Sequence, residues 1–303
     1  MIAAIAGALA PIALVVLLGW FAGRRALLPE GAKAALAAFV VKFALPLALF
    51  LAAVDSDPHD ILNPPYLAAL AIGLIGTWAA GLLVSRLLLR RPVPEAAMQG
   101  LAAGFPNMAY AGPPVLAAVG SGAILAVVIG NLIVSLIVMP ATLVLLGGGG
   151  GTGRVLLQAV RQPLVFLPVL GAVLALLGIH VPDLLAHSID EIGKAAGGAA
   201  LFTLGLILAG ITPRLDRDVI VNVLMKNIVQ PALLLGAGLA FGLTGSALHE
   251  VFLIGVLPAA TAVPTLALAH EIYADEAAAS VLASTLFSVL TISAGIALTG
   301  VLP

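Results

Sequence analysis

Long apolar runs separated by short polar or glycine- and proline-rich stretches dominate the pattern of this chain. A membrane-spanning helix needs roughly 20 apolar residues. Ten stretches reach about that length: 3–23, 34–54, 65–86, 95–118, 121–146, 163–180, 191–212, 219–243, 247–270 and 276–301. They are continuous and rich in Ala and Leu, which fits helices rather than the alternating, ~10-residue strands of a membrane barrel. The pattern predicts an all-α polytopic membrane protein with ten transmembrane helices.

Composition sharpens this reading. Apolar residues make up 62% of the 303, and Asp, Glu, Lys and Arg only 9%. Soluble chains carry about 25% charge, so these charges are too few to cover a water-facing surface. Mean hydropathy is +1.21. A soluble enzyme is excluded. With a net charge of −1 and no long basic run, no nucleic acid partner is expected. There are no cysteines, which removes disulfides, thiolate catalysis and Cys-ligated metals.

The few cations orient the chain. Arg24, Arg25 and Lys33 follow span 1, Arg86, Arg90 and Arg91 lie between spans 3 and 4, Arg154 and Arg161 between spans 5 and 6, and Arg214 and Arg217 between spans 7 and 8. The opposite loops carry almost none; Lys194 sits near a helix end. The positive-inside rule then puts both termini outside the cytoplasm. Nothing charged precedes the first apolar stretch, so it reads as a retained helix, not a signal peptide. The Ala-, Gly- and Leu-rich composition points to a bacterial inner membrane, with lipid as the surrounding partner. Lys42 and Lys226 fall inside spans.

The chain divides at a glycine run. Residues 1–146 form one set of five spans, 147–154 a flexible cytoplasmic linker, and 155–303 a second set of five. At an offset of about 152 residues, Pro11 matches Pro163, Gly19 matches Gly171 and Pro106 matches Pro258. Pro29 matches Pro182, and Pro113 matches Pro264, each within one residue of that offset. Five is odd, so the second half enters the membrane in the opposite sense. An inverted-topology repeat of this kind is a signature of secondary transporters.

Spans 4 and 9 carry the interruptions. Span 4 contains Pro106 and Pro113, and span 9 contains Pro258 and Pro264. Proline removes a backbone donor and clashes with the preceding turn, so two within a span should unwind the backbone between them. Freed amides and carbonyls must face protein or a wet cavity. Broken helices at corresponding places in two inverted halves point to a midplane substrate site. A simple kink satisfied by neighbours is the plain alternative for each break taken alone.

The stretch Phe105-Pro106-Asn107 through Gly112-Pro113-Pro114 resembles the first crossing helix of the auxin efflux carrier family, which includes plant PIN-formed carriers and bacterial malonate and malate carriers. Val41-Lys42-Phe43-Ala44-Leu45-Pro46-Leu47 is similar to that family's second helix. Leu257-Pro258 through Pro264, His270-Glu271 and Ser284-Thr285 are similar to its ninth and tenth. The resemblance implies two inverted five-helix repeats with broken crossing helices 4 and 9, an architecture related to sodium/proton antiporters and bile-acid transporters. It also implies a scaffold of helices 1, 2, 6 and 7, a transport domain of helices 3–5 and 8–10, and a homodimer.

Candidate substrate-binding residues follow. Asn107 matches the family asparagine that contacts substrate; its amide offers donors and an acceptor, and the alternative is a cap on the following half-helix. Pro106, Pro258 and Thr261 line the breaks. Lys42, mid-span with no acid in its own span, is either a counter-charge for an anion or a side chain that snorkels to the cytoplasmic face. Lys226, one to two turns inside span 8, is read as snorkelling. Asn131 on span 5 and Asn227 on span 8 are further polar candidates, and Ser284, Ser288 and Thr291 read as packing.

No metal or cofactor is expected. His59, His180, His187, His249 and His270 have no ligand spacing, and Asp55, Asp57 and Asp60 read as a solvated outer loop. No buried Ser–His pair or span carboxylate pair suggests an enzyme. No Asp or Glu lies at either break, which disfavours sodium or proton coupling through a midplane carboxylate. The expected function is a secondary carrier of a small organic anion, a mono- or dicarboxylate. The alternative is a sodium- or proton-coupled importer of the bile-acid transporter type.

Overall fold

The computed structural model describes residues 2–118, 125–147, 153, 157, 158 and 160–300. Most of the glycine-rich linker, with Arg154, lies outside these residues, as does the start of span 5. Among the described residues the structure is helical, with no β-strand. Besides a single turn at Pro58–Ile61, the helices are α1 (Ile2–Arg24), α2 (Ala32–Val54), α3 (Pro64–Leu87), α4 (Val93–Gly104), α5 (Gly112–Ala118), α6 (Leu125–Leu145), α7 (Pro163–Leu176), α8 (Asp183–Ala209), α9 (Arg217–Ala240), α10 (Gly245–Val256), α11 (Ala262–His270) and α12 (Ala274–Thr299).

Six of these, α2, α3, α6, α8, α9 and α12, are long and apolar enough to cross a membrane. The other four stretches read from the sequence as spans fall on α1, on the 14-residue α7, and on the interrupted pairs α4–α5 and α10–α11, none of which is among these six. Large apolar side chains such as Leu14, Leu17, Phe166 and Leu286 are exposed. Such surfaces suit lipid, as expected of a multi-pass membrane protein.

Three of the long helices share one local device. Val40–Ala44 in α2, Val134–Val138 in α6 and Met225–Val229 in α9 are π-helical turns. Each runs into a proline two residues later: Pro46, Pro140 and Pro231. Proline lacks the amide for a normal bond and crowds the carbonyl four residues back. A wider turn ahead of it relieves that crowding and rotates the side chains that follow.

Packing falls into two groups joined at fewer places. Helix α1 lies along α8, and α2 packs on both α7 and α8; α3 packs on α4, α6 and α9, and α9 packs on α10 and α12. Contact between α1 and α8 is backbone-close. A Cβ on Gly19 would come to 2.0 Å from Phe202 O, and one on Gly205 to 2.1 Å from Val16 O. Small residues at such crossings let membrane helices approach where lipid supplies no hydrophobic drive.

On the polar end of the second group, Arg91 ahead of α4 bonds Asp218 Oδ2 on α9 at 2.5 Å and Glu95 at 3.1 Å. Asp218 is 6% exposed, and among the described residues its Oδ1 has no partner. Arg91→Met should therefore cost about 1–3 kcal/mol, below the buried-pair range because Arg91 itself is over a third exposed. Adding Asp218→Asn should return most of that loss, a coupling to be read in a double-mutant cycle of melting temperatures.

Candidate functional site

The two interrupted segments meet. Helix α4 stops at Gly104, and Phe105 to Ala111 is non-helical; α10 stops at Val256, and Leu257 to Thr261 is non-helical. Pro106 and Ala259 form an isolated antiparallel bridge. Asn107 N donates to Pro258 O at 2.7 Å, and Ala260 N donates to Phe105 O at 2.9 Å. Each bond becomes the other when a residue of one half is exchanged for that 153 positions away in the other half. The breaks thus satisfy each other's backbone by a two-fold-related pairing, as buried polar groups require.

The prolines divide the labour. Pro106 and Pro258 stand inside the unwound stretches, whereas Pro113 and Pro264 sit in the first turns of α5 and α11. There the missing amide has no helical partner to lose. Pro113 and Pro264 therefore stand where the helices restart, on the far side of each unwound stretch from Pro106 and Pro258.

Carbonyls at the stopped ends are capped by side chains from α9 and α12. Gln230 Nε2 donates to Gly104 O at 2.7 Å, and Lys226 Nζ donates to Gly255 O at 2.9 Å. Thr291 Oγ1 donates to Val256 O at 3.1 Å. Ala259 N donates to Ser284 Oγ at 2.9 Å, and Ser284 Oγ in turn donates to Asn227 Oδ1 at 2.6 Å. Asn227 Nδ2 reaches Ser284 O and Thr291 Oγ1, both at 3.4 Å.

Asn107 sits in this assembly at 1% exposure. Its Oδ1 accepts from Tyr110 N at 3.3 Å, a long bond across the turn that leads into α5. Its Nδ2 is buried and, among the described residues, has no partner. A buried unpaired amide donor costs about 1–3 kcal/mol and calls for an explanation. Thr261 is beside the second break and 4% exposed.

The structure brings together Asn107, Pro106, Pro258, Thr261 and Asn227. It does not bring in Lys42, which lies on the exposed side of α2 in its π turn while the crossing is buried. A long side chain that reaches out of the protein avoids the cost of burying its charge. Asn131 is buried on α6, one residue past Gly130, which faces Met108. Its amide, however, turns to Leu164 O of α7 at 2.9 Å.

Lys226 reverses the expectation of snorkelling: it is 0% exposed. The reason is the acceptor at Gly255, a carbonyl freed by the break and sitting at the negative end of α10. Ser284 and Thr291, read as packing groups, instead bond the second break directly. One signal was available. Asp218, Asn222, Lys226 and Gln230 repeat every four residues on α9, a polar stripe at helical spacing, and all four are buried.

The stripe continues toward the Arg91 pair. Asn222 Nδ2 donates to Tyr273 OH at 3.1 Å and Ser280 Oγ at 2.8 Å. Burial, and then the Asp218 charge, push the Tyr273 phenol above its ordinary value, so it stays neutral. Among the described residues no three His, Asp or Glu side chains gather as a metal ion would require. A cleft of about 280 Å³ opens elsewhere, between α1 and the end of α8, lined by Ala22, Gly23, Lys33 and Leu206.

The chain matches the membrane transport protein family over residues 4–152 and again over 152–295. It is 30% identical over 298 residues to a protein of Escherichia coli (strain K12) named "Uncharacterized transporter YfdV", covering 94% of both chains. It is 29% identical over 308 residues to a protein of Rhizobium meliloti (strain 1021) named "Putative malonate transporter", covering 96% of this chain and 94% of that one. Auxin efflux carrier component 1 of Arabidopsis thaliana is 32% identical over 109 residues, which are 33% of this chain and 17% of the plant protein.

Proposed function

The chain belongs to the membrane transport protein family, which takes in the auxin efflux carriers, and from that membership we propose that it is a secondary carrier for a small organic anion. Substrate binds at the crossing of the two broken helices. The observation that carries this reading is the unpartnered Nδ2 of Asn107, a buried donor at the meeting point of the breaks. A carboxylate oxygen is the acceptor it lacks. Thr261, Pro106 and Pro258 complete the lining.

The two packing groups support a working cycle of two moving parts. Helices α3–α6 and α9–α12 move as a transport domain against a scaffold of α1, α2, α7 and α8, and expose the crossing alternately to each side. The two-fold-related bonds between Phe105–Asn107 and Pro258–Ala260 support the inverted-repeat reading of two five-span halves. Both termini lie outside the cytoplasm, in a bacterial inner membrane, and the carrier is a homodimer.

An anion leaving a cell that is negative inside is driven by about 2.3 kcal/mol per charge per 100 mV. Export therefore needs no coupling ion. The test is charge movement from purified protein in liposomes challenged with malonate, malate, lactate and indole-3-acetate, with and without sodium. Malonate is included because a relative is named for it. The expected result is current with one class of acid, unchanged by sodium. Current only in sodium would replace this reading with the cation-coupled importer.

A further inference from the structure

The two stopped helix ends at the crossing are capped by α9 in different ways. Gly104 O, ending α4, accepts from the neutral amide of Gln230; Gly255 O, near the end of α10, accepts from the ammonium of Lys226. Lys226 is wholly buried. Among the described residues its ammonium makes that one hydrogen bond and no ion pair. Its neighbours one turn away on the stripe are the uncharged Asn222 and Gln230. Asp218, two turns away, is engaged by Arg91.

A buried cation without a carboxylate is expensive unless other negative charge faces it. Helix ends supply that charge. Helices α4 and α10 are each 12 residues long, and both stop at the crossing. A helix presents roughly −0.5 elementary charge at its C-terminus. Two such ends come to about one negative charge, which one lysine offsets. In carriers built on broken helices, unwound carbonyls and half-helix C-termini are also where a coupling cation is coordinated.

We propose that Lys226 is a resident cation: its ammonium occupies, as part of the chain, the place where a mobile cation would otherwise neutralise the paired half-helix ends. The crossing is then assembled without sodium, and no cation enters or leaves during the cycle. The fixed charge travels with α9 and α10, and Gln230 completes the cap on the other half. Lys226 acts through the helix ends and is a positioning residue; it does not touch the substrate. The assignment does not depend on which anion is carried.

The test uses full-length protein in lipid nanodiscs and reads melting temperature, so it stands whether or not a substrate is known. Choline is replaced at constant ionic strength by sodium, lithium or methylammonium. Wild type and Lys226→Arg are expected to be indifferent to the exchange. Lys226→Ala and Lys226→Gln are expected to melt lower and to recover saturably with at least one of the three cations. A ligand that binds only the folded state at 100 times its dissociation constant raises the folded-to-unfolded ratio about 100-fold, a shift of several degrees.

Lys226→Gln separates charge from hydrogen bonding, because its amide still offers Gly255 O a donor. A Gln variant that melts like wild type and ignores all three cations overturns the proposal, as does an Ala variant with no saturable recovery. Loss of folding in both neutral variants with folding kept in Lys226→Arg is the extreme form of the expected result. Failure of all three overturns the charge assignment.

Discussion

Replacing Asn107 by alanine should leave the protein folded and cut transport by at least about tenfold. The amide does two jobs. Its Oδ1 takes Tyr110 N at 3.3 Å, a cap whose loss costs about 0.5–2 kcal/mol, toward the low end because the bond is long. Its Nδ2 has no partner among the described residues. A hydrogen bond from it to a carboxylate is worth about 1.5–3 kcal/mol, roughly 10- to 100-fold in affinity. Asn107→Asp separates the two jobs. It keeps the cap oxygen but sets a carboxylate against the anion, so it should carry nothing, and burying that charge at 1% exposure should lower its melting temperature. Uptake and melting temperature measured on both variants check this. An alanine variant that transports at the wild-type rate removes Asn107 from the site.

Gly205→Val should produce the largest stability loss on the scaffold side, about 3 kcal/mol or more. A Cβ at Gly205 would sit 2.1 Å from Val16 O and 2.6 Å from Trp20 N. Those are backbone atoms of α1 and cannot swing away, so the helices must separate, at the upper end of overpacking costs or beyond. Gly198→Ala on the same helix is the control. A Cβ there meets nothing within 4 Å, and alanine gains roughly 0.5–1 kcal/mol over glycine in a helix interior. Melting curves should move in opposite directions for the two. Equal curves would mean that α1 and α8 do not meet as described.

The membrane class and the two breaks were legible in the sequence because they rest on features that need no partner. Runs of Leu, Ala and Val announce helices in lipid, and Pro106 and Pro258 remove amides wherever they stand. The points at which the helices resume, Gly112 and Ala262, were less legible. Whether a proline ends a helix or begins one depends on where the chain restarts, which is a tertiary outcome. Lys226 was misjudged for a related reason. Its depth in the span gave no hint that Gly255, 29 residues on, would present a free carbonyl to it. Lys42 meets no such acceptor among the described residues and stayed at the surface. Ser284 looked like packing because small hydroxyls in membrane helices usually are, and only the contact with Ala259 N distinguishes it.

The central claim is that the crossing is the substrate site and opens to each side in turn. The chain has no cysteine, so a single thiol introduced there is the only one in the molecule. Ala109, in the unwound stretch two residues past Asn107 and partly buried, is the position to use. The measurement is labelling of Ala109→Cys by a membrane-impermeant thiol reagent, applied from either face of sealed vesicles, with and without the acid that drives current. The account predicts labelling from both faces and slower labelling when the acid is bound. Labelling from one face only, at a rate the acid does not change, would contradict it.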